Sequence, residues 1–510
     1  MELLLFSGYI RNWNALREEL GSPETDDRTA LEKEILLRGF ERWGQSLCSH
    51  LYGAFSYVIR DPATGALYCA RDPFGVSTFF YHLTPSGKLL FSEDIREIAR
   101  HPDYKKALDT HALHTYLTLG YPAGTDTLFA GIQKLSAGHR LVYQGGRLTI
   151  ERYYHLRYDP DHARSEADWV EEIAHTARTI LSEDQSAPGF SGAESFLSGG
   201  VDSSYLLALS HIPTACSIGY DGGDLDESQL ARQTAELLGR DFRKCTVSPE
   251  QYFRTVPKVV SAMGLPLADM SSVAFFLGCE DVAKRASVCF SGEGADEFFA
   301  GYRLYRNGEK LARDDSPLHL GCSGVMESKY ADDLLLEKDP QFSCAPLVEE
   351  IYKETAHSEH LARLLSIDVR LYLEGDILFG LNRSSAAHGL QVRTPFADQR
   401  MFELAARIPS DLKLHDGIGK YILRRAAEQV LPHDVAFREK VGFSVPISRW
   451  MRQDGIREEM EKTLFGDASR KIFRQDLLKR YWTNFQNGSD GIRSVIFAVY
   501  VFLIWYEMWF

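Results

Sequence analysis

The feature that most constrains the fold is a strand, a glycine turn and a helix start in the middle of the chain. An apolar run at 195–197 leads into residues 198–204, which read SGGVDSS, and the apolar run 205–209 follows. The glycines let the backbone approach an anion. Serine hydroxyls and free N–H groups supply donors at a helix start, where the helix dipole favours negative charge. We name residues 198–204 the serine loop, and the pattern predicts that this loop binds phosphate; a pyrophosphate fits it.

The serine loop differs from the commonest nucleotide-binding motif, G-x-x-x-x-G-K-[ST], which does not occur in the chain. Transfer of a γ-phosphate is therefore not expected. A simple serine- and glycine-rich hairpin is the structural alternative. A turn of that kind rarely lies between a buried strand and a helix, so we favour a nucleotide-binding domain.

The region that carries the serine loop alternates between strands and helices. Strands are predicted at 195–197, 214–218, 242–247 and 287–290, and helical segments such as 227–238 separate them. The alternation predicts an α/β fold with a parallel, doubly wound sheet. The serine loop then lies at the carboxyl edge of that sheet, where such sheets bind their ligands. Beyond about residue 310 the pattern is largely helical.

The first part of the chain has a different pattern, in which short strands alternate with turn signals. Strands are predicted at 3–6, 53–60, 66–70, 78–82, 88–92 and 140–144, and amphipathic helices at 14–20 and 29–43. This pattern predicts an α+β domain. A polar, acidic stretch at 158–168 follows it. We therefore expect one domain over residues 1–155 and a second over 165–510, as the length of 510 residues also suggests.

Composition excludes several classes of protein. A formal net charge of −14, without a basic patch, argues against nucleic-acid and membrane-surface partners. Eight cysteines without C-x-x-C spacing indicate reduced thiols in a cytoplasmic protein and no structural metal. The first six residues lack the basic charge and the length of a signal peptide. The apolar run 495–506 is short for a bilayer, so we expect a buried terminal helix there.

Eight motifs stand in order along the chain: NALREEL (14–20), LYGAFSY (51–57), RDPFG (71–75), LFAGI (128–132), the serine loop, SGEGADE (291–297), VRTPF (392–396) and REKVGF (438–443). Together they resemble the motifs of the asparagine synthetase family, in which a glutaminase domain precedes an ATP-pyrophosphatase synthetase domain. The family includes relatives that close β-lactams and lasso peptides. The resemblance implies an Ntn-type α+β fold for the first domain and a synthetase domain with a helical C-terminal part.

The resemblance also implies a site for ATP and Mg²⁺. Asp202 and Asp296 are expected to bind Mg²⁺. Lys440 is expected to stabilise transition-state charge, Glu293 to act as a base near the incoming amine, and Arg393 to clamp the reacting carboxylate. Solvated loop residues and helix caps are the structural alternatives for the lysine and the acids. The residues expected to contact the nucleotide are Leu197, Ser198, Gly199, Gly200, Asp202, Ser203, Ser204, Ile218, Gly292 and Lys420, and, less strongly, the acidic pair Asp226 and Glu227.

The first domain departs from the family at the residues that hydrolyse glutamine. The family has a cysteine after the initiator methionine, whereas residue 2 here is Glu. Its glutamine-binding turn reads NGEIYN, and residues 7–12 here read SGYIRN, so that Ser7 and Tyr9 replace the expected amide and carboxylate. Glu32 aligns with the Asp that pairs with the glutamine ammonium. Because no glutamyl intermediate forms without a thiolate, we expect a degenerate, inactive glutaminase-like domain.

The function implied is Mg·ATP-dependent adenylation of a small-molecule or peptide carboxylate, followed by amine or ammonia attack, with release of AMP and pyrophosphate. Gly380, Asn382 and Gln391 stand where the family has charged side chains, which leaves the acyl substrate open. Retention of Glu293 favours an asparagine synthetase-like site. An intramolecular cyclase that uses the substrate's own amine, amidation of a sugar acid, and a catalytically dead binding protein are the alternatives. A homodimer is a further expectation.

Overall fold

The structure is a computed structural model that describes residues 1–22, 27–187, 190, 192–220, 227–307, 321–322, 324–439 and 445–510. Shorter turns of other helix types cover Gly44–His50, Arg303–Asn307 and Asp490–Ile492, and a π-helical segment covers Asp368–Ile377. The α-helices span Trp13–Leu20, Arg28–Trp43, Ile95–Ala99, Thr110–Leu119, Glu166–Ser186, Val201–Leu209, Ser228–Leu237, Pro249–Met263, Ser271–Ala283, Ala295–Phe299, Ser328–Leu334, Ala345–Glu354, His360–Ile367, Leu378–Ala386, Gln399–Arg407, Ser410–Lys413, Tyr421–Ala427, His433–Ala436, Ile447–Trp450, Asp454–Leu464, Asp467–Ile472, Gln475–Gln486 and Arg493–Trp509.

The strands fall into two large sheets and two small ones. They are β1 (Glu2–Ile10), β2 (Gly53–Arg60), β3 (Leu67–Arg71), β4 (Phe80–Leu83), β5 (Leu89–Ser92), β6 (Gln133–Lys134), β7 (His139–Gln144), β8 (Arg147–Arg152), β9 (Glu194–Phe196), β10 (Thr214–Tyr220), β11 (Asp241–Val247), β12 (Val288–Phe290), β13 (Gln391–Arg393), β14 (Leu414–His415) and β15 (Ile418–Gly419). The order is β1-β2-β3-β7-β8 in the first large sheet and β11-β10-β9-β12-β13 in the second; the small sheets are β5-β4-β6 and β14-β15.

The first large sheet is antiparallel throughout. Its second strand, β2, is buried on both faces. Phe55 and Ile59 pack under the helix Arg28–Trp43, and Val58 packs on the opposite side with Phe79 and Leu141. A strand covered on both faces needs apolar residues at successive positions, which explains why β2 reads as a nearly continuous apolar run. The predicted α+β architecture of this part is confirmed.

The second large sheet is parallel, with β9 at its centre. The four predicted strands are present, so the predicted doubly wound α/β fold is confirmed. The fifth strand, β13, was not predicted. It has only three residues and follows closely after the helix Leu378–Ala386, which leaves too little sequence for a period of two to be detected.

The C-terminal helix Arg493–Trp509 lies in the largest apolar core. Phe497, Phe502 and Trp505 are fully buried there, and the Trp505 indole donates to the Gly264 carbonyl oxygen at 2.8 Å. Residues 490–509 are long and apolar enough to cross a bilayer by length and composition, but most of this segment is buried within the protein. The predicted buried terminal helix is confirmed. All eight cysteines are unpaired in the structure, and six of them are buried.

Candidate active site

The serine loop leaves the central strand β9 and turns directly into the helix Val201–Leu209. The Leu197 N–H donates to the Cys216 carbonyl oxygen at 2.8 Å, which extends the parallel pairing to the last residue before the turn. The helix begins after Gly200, whose backbone is extended, and no side chain caps it. The first N–H groups of the helix are therefore left for a ligand, and they meet the positive end of the helix dipole.

Within the loop, the serines bond one another. Ser203 Oγ accepts from the Ser198 N–H and contacts Ser198 Oγ, both at 3.1 Å, and Ser204 Oγ donates to the Gly200 carbonyl oxygen at 2.8 Å. A Cβ at Gly199 would lie 3.2 Å from Leu230 Cδ1. Gly199 is therefore required by close packing on the helix Ser228–Leu237 as well as by any approach of an anion.

A second loop, residues 291–297, reaches the serine loop from the neighbouring strand β12; we name it the acidic loop. A Cβ at Gly292 would lie 3.1 Å from Asp202 Cβ and 3.2 Å from the Ser203 nitrogen, so the two loops are in direct backbone contact. Gly294 has φ +98° and occupies the N-cap position of the short helix Ala295–Phe299, and no side chain bonds the free N–H groups of this helix. The helix-capping alternative for the acidic side chains therefore finds no support at this helix.

Lys420 joins the two loops. Its ammonium nitrogen lies 2.5 Å from Asp202 Oδ2 and 2.8 Å from Asp296 Oδ1. The Lys420 side chain is 3% exposed and the two carboxylates are 12% and 11% exposed, so this ion cluster is largely shielded from water. Three of the predicted nucleotide and metal residues therefore converge on one point at the carboxyl edge of the sheet.

The backbone around Lys420 is strained. Lys420 has φ +55° and Ala300 has φ +62°, both in the left-handed region that residues other than glycine seldom occupy. A Cβ at Gly301 would lie 2.0 Å from Asp296 Oδ1 and 2.1 Å from Lys420 Cε. The ammonium reaches the two carboxylates only because residue 301 has no side chain. Strain of this kind is typical of functional sites.

The two carboxylates suit a hard cation. Asp202 Oδ1 is buried and accepts no hydrogen bond, so one oxygen of the pair is left without a donor. In the described part of the chain, no group of three or more His, Cys, Asp or Glu side chains could hold a metal. Two carboxylates fit Mg²⁺, which proteins hold through one or two carboxylates together with substrate phosphates and water. Asp202 and Asp296 are thus residues that would hold the ion.

Two further arginines, whose roles the sequence did not indicate, support the serine loop. Arg424 Nη1 donates to the carbonyl oxygens of Ala436 and Arg438, at 2.7 and 3.0 Å, and Arg438 Nη1 contacts the Gly199 carbonyl oxygen at 3.4 Å. Arg438 stands in the quoted REKVGF motif, which was the available signal. Lys440 itself lies outside the described residues.

The comparisons with known proteins decide the family. The asparagine synthase family matches residues 193–509, and the glutamine amidotransferase domain matches residues 1–154. The chain belongs to the asparagine synthase family. It is a C–N bond-forming, asparagine synthetase-like ligase of an ATP-dependent amidating family.

Individual relatives extend over nearly the whole ligase. Asparagine synthetase [glutamine-hydrolyzing] 1 of Bacillus subtilis is 27% identical, over 99% of this chain and 85% of the relative. A putative asparagine synthetase [glutamine-hydrolyzing] of Mycobacterium bovis is 28% identical, over 99% of this chain and 84% of the relative. Asparagine synthetase [glutamine-hydrolyzing] 3 of Bacillus subtilis is 26% identical, over 92% and 81% of the two chains.

The other predicted residues of the site differ in burial and in contacts. Glu293 is half-buried in the acidic loop, and its Oε1 accepts from Ser291 Oγ at 3.3 Å. Leu197 is buried directly before the serine loop. Ile218 is half-buried in β10, where it packs against Gly278. Glu227 occupies the N-cap position of the helix Ser228–Leu237, but its side chain makes no capping hydrogen bond. Asp226 lies outside the described residues.

Arg393 is not brought to this cluster. Its guanidinium is buried, donates to the Asp184 carbonyl oxygen and Oδ1 at 3.0 and 2.9 Å, and donates to Gln391 Oε1 at 3.0 Å. The guanidinium also lies 4.7 Å from the centre of the Tyr9 ring, which belongs to β1 of the first half. These contacts make Arg393 part of the boundary between the two halves of the ligase.

Arg11 completes that boundary from the first half. Its Nε donates to Asp184 Oδ1 at 3.0 Å, its Nη2 donates to the Tyr9 hydroxyl at 3.1 Å, and its Nη1 pairs with Asp398. Arg11 and Asp184 are almost completely buried. The turn that binds glutamine in the family therefore carries a tyrosine and an arginine that are bound to the synthetase half.

Glu32 is also occupied. Its Oε1 accepts from the Ile10 N–H at 3.1 Å and from two nitrogens of Arg28 at 3.0 Å. Arg28 in turn donates to Gln391 Oε1 at 2.6 Å across the boundary. Burial raises the pKa of the Glu32 carboxyl, while Arg28 opposes this shift. Groups of the protein itself therefore occupy Oε1 of Glu32.

Glu297 adds a proton-binding group beside Asp296. It is 1% exposed, and its Oε1 accepts from the Tyr302 hydroxyl at 2.5 Å. Burial and the neighbouring charge of Asp296 raise the pKa of this carboxyl to about 8. A carboxyl with such a pKa holds its proton at neutral pH, which spares the site a further negative charge beside the two carboxylates.

Proposed function

We propose that this ligase uses Mg·ATP to adenylate a carboxylate and then transfers an amine to the acyl group, with release of AMP and pyrophosphate. The observation that carries the proposal is the ion cluster, in which Lys420 lies between Asp202 and Asp296 at the edge of the serine loop. The ammonium of Lys420 and the helix N-terminus suit the phosphates of a nucleotide, and the carboxylates of Asp202 and Asp296 suit the divalent cation that accompanies them.

The residues of the loop act mainly by binding and orientation. The N–H groups at the start of Val201–Leu209 and the hydroxyls of Ser198 and Ser203 would bind the departing pyrophosphate. Asp202 and Asp296 would hold Mg²⁺, which when bound neutralises phosphate charge. Lys420 would then leave the carboxylates and pair with phosphate oxygens. Its flexible stem suits such an exchange of partners.

Chemistry proceeds in two steps. A substrate carboxylate oxygen attacks the α-phosphorus, and the bond to pyrophosphate breaks. An amine then attacks the acyl carbon, and AMP leaves with the acyl-oxygen electron pair. Glu293 would accept the proton that the amine loses. Lys440 would stabilise the charge that develops on the leaving phosphates. Arg393, in its observed contacts, would position β13 rather than touch the substrate.

We further propose that the first half of the ligase does not hydrolyse glutamine. Tyr9 and Arg11 fill the turn that would receive the amino acid, and Glu32 is neutralised by Arg28. The supporting argument is electrostatic, since a carboxylate already bonded to a guanidinium binds an ammonium weakly. We place the division between the two domains at residues 155–165 and propose a cytoplasmic enzyme that forms a homodimer.

The same observation favours a second candidate, an intramolecular cyclase. If the first half delivers no ammonia, the amine comes from solution or from the substrate itself. A substrate with its own amine would be closed into a lactam or macrolactam by the second step above. Assays with ammonium and each candidate carboxylate separate the two candidates, because only the amide synthetase depends on added ammonium.

The test is exchange of labelled pyrophosphate into ATP in the presence of the carboxylate, together with identification of the nucleotide product. Adenylation predicts exchange and AMP, and both should be lost in Lys440→Ala and Asp296→Asn. Lys329→Ala, at an exposed lysine, is the matched control and should exchange normally. Release of ADP, or exchange that survives in Asp296→Asn, would contradict the proposal. Glutamate release from glutamine should be undetectable in the same preparations.

A further inference from the structure

Arg424 carries a buried positive charge whose hydrogen bonds, in the described part of the chain, go to carbonyl oxygens. It lies in the helix Tyr421–Ala427 and is 6% exposed. Its Nε donates to the Gly419 carbonyl oxygen at 3.0 Å, and its Nη1 donates to those of Ala436 and Arg438. Among the described residues, the guanidinium has no ion pair with a carboxylate. Burying a charge in this way is costly, so its presence calls for an explanation.

The peptide unit between Gly419 and Lys420 is held at both of its polar atoms. Its carbonyl oxygen accepts from Arg424 Nε, and its N–H donates to the Phe299 carbonyl oxygen at 3.0 Å. Because a peptide unit is planar, two such bonds fix the orientation of the whole unit. The backbone angle φ of Lys420, +55°, is measured directly from this plane. Arg424 therefore supplies one of the two contacts that define the conformation of Lys420.

Lys420 needs such contacts because its conformation is unfavourable by itself. A residue other than glycine keeps a left-handed backbone only where the surrounding structure enforces it. Lys420 occupies the N-cap position of the helix Tyr421–Ala427, and no side chain caps this helix. Instead, its ammonium lies between Asp202 and Asp296. The direction of the lysine side chain follows from the backbone angles, so a change in φ would move the ammonium away from the two carboxylates.

The same guanidinium also binds the segment that packs on the serine loop. Ala436 is the last residue of the helix His433–Ala436, so its carbonyl oxygen is one of those that a helix end leaves without an intrahelical partner. Arg438, whose carbonyl oxygen Arg424 also binds, contacts the Gly199 carbonyl oxygen through its own side chain. One side chain thus joins the strand end before Lys420 to the segment beside the serine loop.

We propose that Arg424 is a positioning residue, which holds the Gly419–Lys420 peptide in the orientation that places the Lys420 ammonium between Asp202 and Asp296. Arg424 acts through Lys420 rather than through a contact with the substrate. The proposal rests on the proposed function, because there Lys420 pairs with phosphate oxygens after the nucleotide binds. It explains why a buried arginine binds backbone carbonyls beside two carboxylates.

Arg424→Lys is the variant that tests the proposal. Burial lowers the pKa of Arg424, and the charges of Asp202 and Asp296 oppose this shift, so the variant must keep the positive charge. Lysine keeps the charge, but its single nitrogen lacks the planar fork that reaches three carbonyl oxygens. Arg425→Lys is the matched control, since Arg425 is the next residue of the same helix, is 44% exposed and pairs with Glu166 at 2.8 Å.

The first measurement is thermal melting of the full-length variants with EDTA and with Mg²⁺. If the Lys420 ammonium loses its position, the two carboxylates become open to the ion. Mg²⁺ should then raise the melting temperature of Arg424→Lys by about 2–5 °C more than that of wild type. Arg425→Lys should shift like wild type. A residue with a merely structural role would lower the melting temperature without changing the shift that Mg²⁺ causes.

A double variant shows whether Arg424 acts through Lys420. In Lys420→Met there is no ammonium to position, so adding Arg424→Lys should leave the Mg²⁺ shift of Lys420→Met unchanged. A larger shift in the double variant than in Lys420→Met, or a wild-type shift in Arg424→Lys, would overturn the proposal. Failure of Arg424→Lys to fold under conditions where Lys420→Met folds would overturn it as well, because Arg424 would then be required for the fold itself.

The second measurement is pyrophosphate exchange into ATP. Exchange should fall about tenfold to a hundredfold in Arg424→Lys, as expected when a binding group is displaced by about 1 Å, and should be normal in Arg425→Lys. Exchange at the wild-type rate in Arg424→Lys would refute the positioning role alone. The melting experiments contain neither ATP nor a carboxylate. A wild-type protein that exchanges no pyrophosphate, while Arg424→Lys shows the larger Mg²⁺ shift, would refute adenylation and keep the positioning of Lys420.

Discussion

Lys420→Met tests whether the ammonium of Lys420 occupies a cation position between two carboxylates. The lysine lies 2.5 Å from Asp202 and 2.8 Å from Asp296. Methionine keeps most of the length and the apolar stem of lysine and removes only the charge. The variant therefore leaves two largely buried carboxylates that face each other without a counter-charge.

The expected loss of stability follows from burial. Because the three side chains are only 3–12% exposed, solvent screens their charges little. Removing one partner of a buried, hydrogen-bonded ion pair costs about 3–5 kcal/mol, and two stranded carboxylates place this variant near 5 kcal/mol. At about 2 °C per kcal/mol for a large domain, the melting temperature should fall by about 10 °C.

Magnesium should reverse much of this loss. In the variant the carboxylates are free to bind the ion, whereas in wild type the ion must first displace the ammonium. Mg²⁺ at about 100 times its Kd stabilises the folded state by about 2.7 kcal/mol, which restores about 5 °C. Wild type should shift less under the same conditions. Parallel melting experiments with Ca²⁺ show whether the stabilisation is specific for Mg²⁺, and those with EDTA give the metal-free reference.

The assay is thermal melting of wild type, Lys420→Met and Lys329→Met, each with EDTA and with Mg²⁺. Lys329 is 64% exposed and pairs with Glu327 at the surface, so its loss should cost about 0–1 kcal/mol. If Lys420→Met melts like Lys329→Met, or if Mg²⁺ raises wild type and Lys420→Met equally, the cation-position argument is wrong.

Three further predictions follow from the described geometry. The pKa of Glu297 is about 8 in the folded protein against a usual 4.5, so between these pH values the folded state binds one proton more than the unfolded state. The free energy of unfolding should therefore fall as pH rises from 4.5 to 8. The melting temperature of Glu297→Gln should lack this part of the pH dependence. Burial lowers the pKa of Lys413 from 10.5 to about 7, so the free energy of unfolding should rise with pH between 7 and 10.5. Lys413→Met should raise the melting temperature most below pH 7, where the buried lysine is charged. A lower melting temperature of the variant below pH 7 would contradict the lowered pKa. Gly301→Ala places a Cβ 2.0 Å from Asp296 Oδ1 and should reduce pyrophosphate exchange at least tenfold, whereas Gly455→Ala, which has nothing within 4 Å of the added atom, should exchange normally. Equal exchange in the two glycine variants would show that the close approach at Gly301 is not required.

The site could be located from the sequence because its parts follow strand ends. Asp202 comes shortly after β9 and Asp296 shortly after β12, and these strands are neighbours in a parallel sheet. Carboxyl ends of parallel strands meet at one edge, so the convergence of the two acids was implied by the order of strands and loops. The position of Lys420 was available only from the resemblance, since no local periodicity links residue 420 to the sheet.

Other features depend on contacts between distant segments, which a single sequence does not encode locally. Arg393 was expected beside the substrate, yet its partners, Asp184 and Tyr9, stand 209 and 384 positions away along the chain. Glu374 likewise pairs with Arg71 and Lys134, which stand 303 and 240 positions away along the chain. Pairing of buried charges is a tertiary property that becomes visible only with coordinates.

The boundary between the halves suggests why the first half is present. Arg11 binds Asp184 and Asp398, and Arg71 of the first half binds Glu374. Buried ion pairs of this kind add little net stability but strongly disfavour any arrangement that separates the partners. Glu374 lies in the π-helical segment Asp368–Ile377, so its pairing with Arg71 ties this segment of the synthetase half to the first half. Loss of glutamine hydrolysis would therefore leave the first half with a positioning role, and its removal should expose buried charges in the synthetase half.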